Sequence, residues 1–205
     1  MTMMKTSSRW SGIVYQTLAV VLALLFTTVV MLISGADPIQ VYHNIMLGAV
    51  GSPTKIADIL VAWTPLLLAT AGLLLTFTAG LWNIGIEGQI TLGAIFTTWA
   101  LRILQPTDLP PALIMLIGFL AGALGGMFWA GLVALLKIFG NVNEIFGGLG
   151  LNFVATALTI WLIFGSWKRP GVGSMSGTEP FPLELWLPTL PGFRLSPWSL
   201  ALGIV

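Results

Sequence analysis

Long apolar stretches separated by short polar segments make up most of the chain. A helix of about 20 apolar residues is enough to cross the hydrocarbon core of a bilayer. Runs of this length that carry few or no charges predict five complete transmembrane helices and the start of a sixth. We place the five at Trp10–Ile33, Ile59–Ala79, Asn83–Leu104, Ala112–Leu136 and Asn141–Gly165, and the sixth begins at Trp198.

The polar segments suggest how these helices are joined. Residues 37–58 are typical of an external segment that lies at the membrane interface. Thr64 and Pro65 predict a cap and a first-turn proline that restart the second helix slightly inside the membrane. Gly80-Leu81-Trp82 breaks the chain before the third helix, and the proline-rich residues 166–197 predict a long extramembrane loop.

The two ends of the sequence differ in what they predict. The uncharged run after Lys5 and Arg9 is longer than the roughly 7–15 residues of a signal-peptide core, so we expect a retained first helix. The sixth run stops at Val205 after about half a span. We therefore expect 1–205 to be a single, partial transmembrane domain of a longer chain.

Composition supports an all-α polytopic integral membrane protein. Of the 205 residues, 57% are hydrophobic and 7% are charged, whereas soluble domains carry about 25% charged residues. The net charge of +1 gives no reason to expect nucleic acid as a partner. The sequence has no cysteine and a single histidine, His43, so neither a metal site nor a cofactor is predicted.

The basic residues leave the orientation open to two interpretations. Lys5 and Arg9 predict a cytoplasmic N-terminus, because the first helix often sets the topology. That topology also puts Lys137 in the cytoplasm, whereas the simple count of basic residues favours the opposite orientation. With a cytoplasmic N-terminus, the basic residues on the outside would be Lys55, Arg102, Lys168, Arg169 and Arg194.

A polar stripe at the start of the third predicted helix is the first candidate site. Asn83, Glu87 and Thr91 are four residues apart and would share one helical face. A carboxylate in hydrocarbon is costly unless it faces a partner or a wet cavity, so the stripe predicts a passage between packed helices. Alternatively, Glu87 is a helix-start acid that the helix dipole favours. Gly85 and Gly88 would let another backbone come close.

The fifth predicted helix begins with a similar cluster. Glu144, Gly148 and Asn152 follow the same spacing, directly after Asn141 and Asn143. The dipole argument applies to Glu144 as well. The amide of Asn152 lies deeper and would either bond a neighbouring helix or contact a solute.

Small residues recur every four positions along the fourth predicted helix, and they indicate a packing face. Such a stripe lets another helix lie backbone to backbone, which builds the bundle but says little about a solute. The residues are Gly118, Gly122, Gly126, Ala130 and Ala134.

The motifs of several enzyme classes are absent from the sequence. It contains no Gly-Lys dipeptide and hence no P-loop, no Gly-x-Ser-x-Gly elbow and no His-Glu-x-x-His zinc motif. We therefore predict a transport subunit without its own ATPase or catalytic site.

Two segments resemble a known family. Residues 82–89, Trp-Asn-Ile-Gly-Ile-Glu-Gly-Gln, are similar to the signature of bacterial ABC importer permeases of the branched-chain amino acid, ribose and nucleoside group. Residues 143–153 resemble a second segment of that family. Residues 48–53 and 64–66 also match, and they favour the nucleoside and simple-sugar permeases.

The resemblance implies a multi-pass permease subunit in the bacterial cytoplasmic (inner) membrane. It implies as partners an ATP-binding subunit, a periplasmic or lipid-anchored solute-binding protein, and a second permease subunit, identical or paralogous. The solute would be a nucleoside or a simple sugar. The signature residues would be Asn83, Glu87, Gln89, Asn143, Glu144 and Asn152.

This sequence departs from the family in two places. Gly147-Gly148-Leu149-Gly150 replaces the more usual Ser/Thr-Leu-Met pattern. In the family a cytoplasmic loop that docks on the ATPase would follow the sixth helix, and the 205 residues do not include that loop. Two other functions remain open: an ion-coupled secondary transporter or channel with Glu87 as its ion or proton site, and a structural membrane subunit.

Overall fold

The computed structural model describes residues 9–171 and 177–204. Lys5, Val205 and residues 172–176 of the predicted loop lie outside this part of the chain. Within it the regular elements are helical, apart from one β-bridge between Lys168 and Thr178. The predicted all-α class is therefore confirmed for the described residues. The α-helices are α1 Arg9–Ile33, α2 Pro38–Val50, α3 Pro53–Thr78, α4 Ile86–Leu104, α5 Pro111–Gly140, α6 Glu144–Phe164 and α7 Pro197–Ile204, and Leu183–Leu185 form a 3-10 turn.

Among the described residues, four helices are long and apolar enough to cross a membrane. They are α3, α5, α6 and the Ser11–Ile33 part of α1. The 19-residue α4 is not one of them, and its first turn carries Glu87. The chain is thus a multi-pass membrane protein, while the fifth complete span stays a prediction.

The chain divides into two compact units, one up to residue 59 and the other from residue 60 onward. In the first unit Tyr42 on α2 connects to α1. Its hydroxyl lies 2.9 Å from the Thr28 hydroxyl and donates to the Leu24 carbonyl at 3.2 Å. Asp37 caps α2 by accepting a hydrogen bond from the amide of Ile39.

The structure corrects the predicted start of the second helix. The helix α3 begins at Pro53, six residues before Ile59, and continues through Pro65. Thr64 does not cap a helix, because its hydroxyl donates back to the Leu60 carbonyl at 3.1 Å. The prediction of a restart at Thr64-Pro65 is therefore wrong.

The predicted start of the third helix is also wrong. Gly80 adopts φ +75° and ends α3 in a Schellman motif, in which the amide of Leu81 bonds the Thr76 carbonyl. The chain then runs without helical structure until α4 begins at Ile86. Asn83 thus precedes the helix, and the predicted stripe with Glu87 and Thr91 does not form.

The second unit is organised around α4, which packs against both α5 and α6. Its core comprises Leu92 and Ile95 from α4, Trp129 from α5 and Ala155 from α6. All three helices that form this core, α4, α5 and α6, also supply side chains to the candidate site described below.

Glycines make the contact between α4 and α5 a close one. A Cβ on Gly118 would lie 2.9 Å from Cδ2 of Leu101, and one on Gly122 would collide with the Thr97 hydroxyl. That hydroxyl instead donates to the Gly118 carbonyl at 3.0 Å. At Gly126, the third glycine of the stripe, a Cβ would lie 3.4 Å from the Gln89 carbonyl. All three glycines therefore face α4.

Candidate functional site

A cleft of about 430 Å³ opens in the second unit, where the chain breaks between α3 and α4. Its volume lies within the roughly 300–1,000 Å³ that is usual for small-molecule sites. The end of α5 and the start of α6 form its other walls. It is lined by Thr76, Leu81, Trp82, Asn83, Gln89, Ala130, Val133, Ala134, Lys137, Ile138 and Glu144.

Three of the six predicted signature residues line this cleft, and two of them bond each other. The side-chain nitrogen of Gln89 donates to the side-chain oxygen of Asn83 at 2.9 Å. The side-chain nitrogen of Asn83 donates in return to the side-chain oxygen of Gln89 at 3.3 Å. Each carboxamide thus donates to and accepts from the other. The pair ties the irregular segment before α4 to the helix itself.

Glu144 is the third signature residue in the cleft, and it forms an ion pair with Lys137. The Lys137 Nζ atom lies 3.2 Å from a carboxylate oxygen of Glu144, across the junction of α5 and α6. The two charges offset each other at the cleft wall. The sequence alone gave Lys137 no site role; the only available signal was its position seven residues before an acid, across a helix break.

Glu87 and Asn143 lie at helix starts and do not line the cleft. The exposed Glu87 is in the first turn of α4, a position that the helix dipole favours for an acid. Asn143 is the N-cap of α6, and its side-chain oxygen accepts a hydrogen bond of 2.9 Å from the amide of Ile145.

The buried side chain of Asn152 bonds backbone atoms at the start of α4. Its oxygen accepts from the amide of Gly88 at 2.8 Å, and its nitrogen donates to the Ile84 carbonyl at 3.0 Å. The N-cap residue of α4 is Gly85, which has no side chain to bond the first-turn amides. Asn152 therefore supplies from α6 the cap that Gly85 lacks. Of its two predicted roles, a bond to a neighbouring helix or a contact with a solute, these hydrogen bonds match the first.

The close approach of α6 explains why a glycine stands at the N-cap. A Cβ on Gly148 would lie 2.7 Å from the backbone nitrogen of Gly85, and one on Gly85 would lie 3.1 Å from Cα of Gly148. This contact brings Asn152, one helical turn further along α6, within reach of Gly88. The predicted close approach of another backbone is confirmed at Gly85. At Gly88 it is wrong, because the atoms nearest to that glycine belong to the side chains of Trp129 and Asn152.

Comparison with known proteins gives consistent matches. Residues 55–185 match the family described as "Branched-chain amino acid transport system / permease component". The glucose ABC transporter permease protein TsgB13 of Haloferax volcanii is 34% identical over 92% of this chain and 48% of its own length. The nucleoside permease NupB of Lactococcus lactis is 26% identical over 74% of the chain, and the guanosine permease NupP of Bacillus subtilis is 25% identical over 76%.

The chain spans less than half the length of these curated relatives, 41% of NupB and 44% of NupP. No solved structure is a significant match. The matched region contains α4, α5, α6 and every residue of the cleft. On this evidence the chain belongs to the family described as "Branched-chain amino acid transport system / permease component", and the curated proteins to which it is similar include ABC transporter permeases for glucose and for nucleosides.

Proposed function

We propose that the chain is the membrane-spanning permease subunit of a binding-protein-dependent ABC importer, and that the cleft is part of the path of a small neutral solute. The solute class that we infer is a nucleoside or a simple sugar. The observation that carries this proposal is that the ionisable and amide side chains of the cleft are paired with one another.

The pairing favours a neutral solute over an ion. A charged solute would need an opposite charge that is free to bind it, but Lys137 and Glu144 already neutralise each other. Asn83 and Gln89 can exchange their mutual hydrogen bonds for bonds to hydroxyl or base groups of a solute. The exposed ring of Trp82 offers a flat apolar surface beside them.

The proposed assembly follows from what the permease would need. ATP would be hydrolysed on a partner ABC subunit, a periplasmic or lipid-anchored binding protein would deliver the solute, and a second permease subunit, identical or paralogous, would complete the path. We place the assembly in the bacterial cytoplasmic membrane with the N-terminus in the cytoplasm. Transport then requires partners that bind the two states of the path with different affinity.

The test is solute uptake by the subunit expressed from its full reading frame with its neighbouring transporter genes. Cells are given labelled nucleoside or glucose, and Gln89→Ala is compared with Gln105→Ala. Gln105 is the matched control because it is exposed at the opposite end of α4 and does not line the cleft. We expect Gln89→Ala to lower uptake about tenfold at an unchanged membrane level, because Asn83 loses its amide partner.

Other outcomes identify the alternatives. Uptake that collapses with the ion gradient and ignores ATP depletion would indicate a secondary transporter or channel. Equal uptake in Gln89→Ala, Gln105→Ala and the unchanged protein would show that the solute does not pass through the cleft, and it would favour a structural subunit.

A further inference from the structure

Trp129 carries a buried hydrogen-bond donor that has no partner among the described residues. The indole is 6% exposed and belongs to the core between α4, α5 and α6. Its Nε1 atom makes no hydrogen bond in this part of the chain. Buried donors are rarely left unpaired, because an unmade bond costs the full desolvation of the group. The position of this indole therefore needs an explanation beyond packing.

The indole lies beside the capped start of α4. The point that a Cβ on Gly88 would occupy is 2.6 Å from Trp129 Nε1 and 2.8 Å from the side-chain oxygen of Asn152. A free N–H donor and the oxygen that caps α4 thus meet at the same glycine. At present the Gly88 amide occupies this oxygen at 2.8 Å.

We propose that Asn152 is a positioning residue of the cleft whose oxygen alternates between two donors, the Gly88 amide and the Trp129 indole. In the state described here Gly88 holds the oxygen and the indole is unpaired. When the start of α4 moves away, the indole takes the oxygen and the Gly88 amide is released. The described state has two bonds between Asn152 and the start of α4, to the Gly88 amide and the Ile84 carbonyl, whereas the alternate state has only the bond from the indole. The described state is therefore the major one and the alternate state the minor one.

The exchange would act on the cleft through the chain itself. Gln89 follows Gly88 directly, and its side chain is bonded to Asn83 on the cleft wall. Movement of the start of α4 therefore shifts both amides together. This role in transport rests on the proposed function, whereas the exchange of donors does not.

Hydrogen exchange and uptake test the proposal together, in the full complex. Trp129→Phe keeps a buried ring but removes the N–H donor. Trp161→Phe is the matched control, because Trp161 is exposed on α6 and far along the helix from Asn152. In Trp129→Phe we expect exchange of the Gly88 amide to slow about fivefold. The state in which this amide is released loses its hydrogen bond from the indole to Asn152 and is therefore less populated. We expect the maximal uptake rate to fall while the half-saturating solute concentration stays unchanged.

The direction of the exchange effect separates the proposal from a packing role. If Trp129 only fills space, Trp129→Phe loosens the core, and Gly88 exchanges faster than in the unchanged protein. Faster or equal exchange overturns the proposal. Slower exchange in a protein that takes up none of the tested solutes keeps the donor exchange and removes the proposed function instead.

A second variant covers the case in which Trp129→Phe does not accumulate in the membrane. Trp129→His retains a ring N–H donor in a smaller ring. We expect its Gly88 exchange to stay closer to the unchanged protein than that of Trp129→Leu, which has no donor. Equal exchange in these two variants contradicts the proposal.

Discussion

Gly148 on α6 touches the backbone of Gly85, so closely that a Cβ on Gly148 would lie 2.7 Å from the Gly85 nitrogen and 3.0 Å from its Cα. Both atoms are backbone, and neither can rotate away as a side-chain end could. The junction of α4 and α6 is therefore built on the absence of two side chains.

Gly148→Ala is expected to destabilise the protein. Because the added methyl group meets backbone, the helices must separate, at a cost of about 1–3 kcal/mol in unfolding free energy. Gly150→Ala is the matched control on the same helix, since a Cβ there meets nothing within 4 Å. Thermal unfolding in detergent should show a lower midpoint for Gly148→Ala alone. Equal midpoints would mean that the two helices are not in backbone contact.

Asn152→Ala is expected to disrupt the start of α4. The Gly88 amide and the Ile84 carbonyl lose their partner together, and each unpaired group costs about 1–3 kcal/mol. Hydrogen exchange of residues 84–89 should accelerate accordingly. The control is Thr156→Ala, one turn along α6, whose hydroxyl bonds only the carbonyl of Asn152 within the helix. If both variants exchange alike, Asn152 does not cap α4.

The ion pair of the cleft predicts a coupling between Lys137 and Glu144. Lys137→Gln leaves an unpaired acid at the cleft wall, and Glu144→Gln leaves an unpaired base. Each single variant should lower uptake of a neutral solute more than the double variant, which restores a neutral wall. Additive losses in the double-mutant cycle would show that the two residues act independently.

Arg102 predicts a link between α4 and the segment after α6. Its guanidinium lies 5.5 Å from the ring centre of Trp167 and 5.7 Å from that of Phe181. Arg102→Lys keeps the charge but loses the planar stacking, so we expect a loss of about 1 kcal/mol and faster hydrogen exchange in residues 177–186. The exposed Arg169 provides the control as Arg169→Lys. Unchanged exchange in Arg102→Lys would show that the rings do not hold this segment.

The sequence was sufficient to place the apolar helices, because hydrophobic runs of membrane length are a local signal. The sequence alone misplaces the first residues of α3 and α4, because features other than the apolar pattern determine where these helices begin. Pro65 is typical of a helix start, but it lies inside α3, which is continuous from Pro53 to Thr78. Asn83 had helical spacing to Glu87, but Gly80 ends α3 and the chain re-enters a helix only at Ile86.

The candidate site depended still more on distant contacts. Asn83 and Gln89 are six residues apart, a spacing that neither a helix nor a strand would bring face to face as a pair. Their contact exists because the segment between them bends at the start of α4. The bond from Asn152 to Gly88 spans 64 residues, and no local pattern could have revealed it. The sequence thus indicates which polar residues are candidates for the site, but it does not indicate which residues they bond.

The cap that Asn152 supplies also sets an order for building the protein. A helix normally carries its own N-cap, so its first turn can close as soon as it leaves the ribosome. In this chain the cap for α4 is made 64 residues later, on α6. The Gly88 amide in the first turn of α4 therefore lacks this partner until α6 has been synthesised and packs against α4. Assembly of this unit is completed when α6, its last long helix among the described residues, caps the first turn of α4.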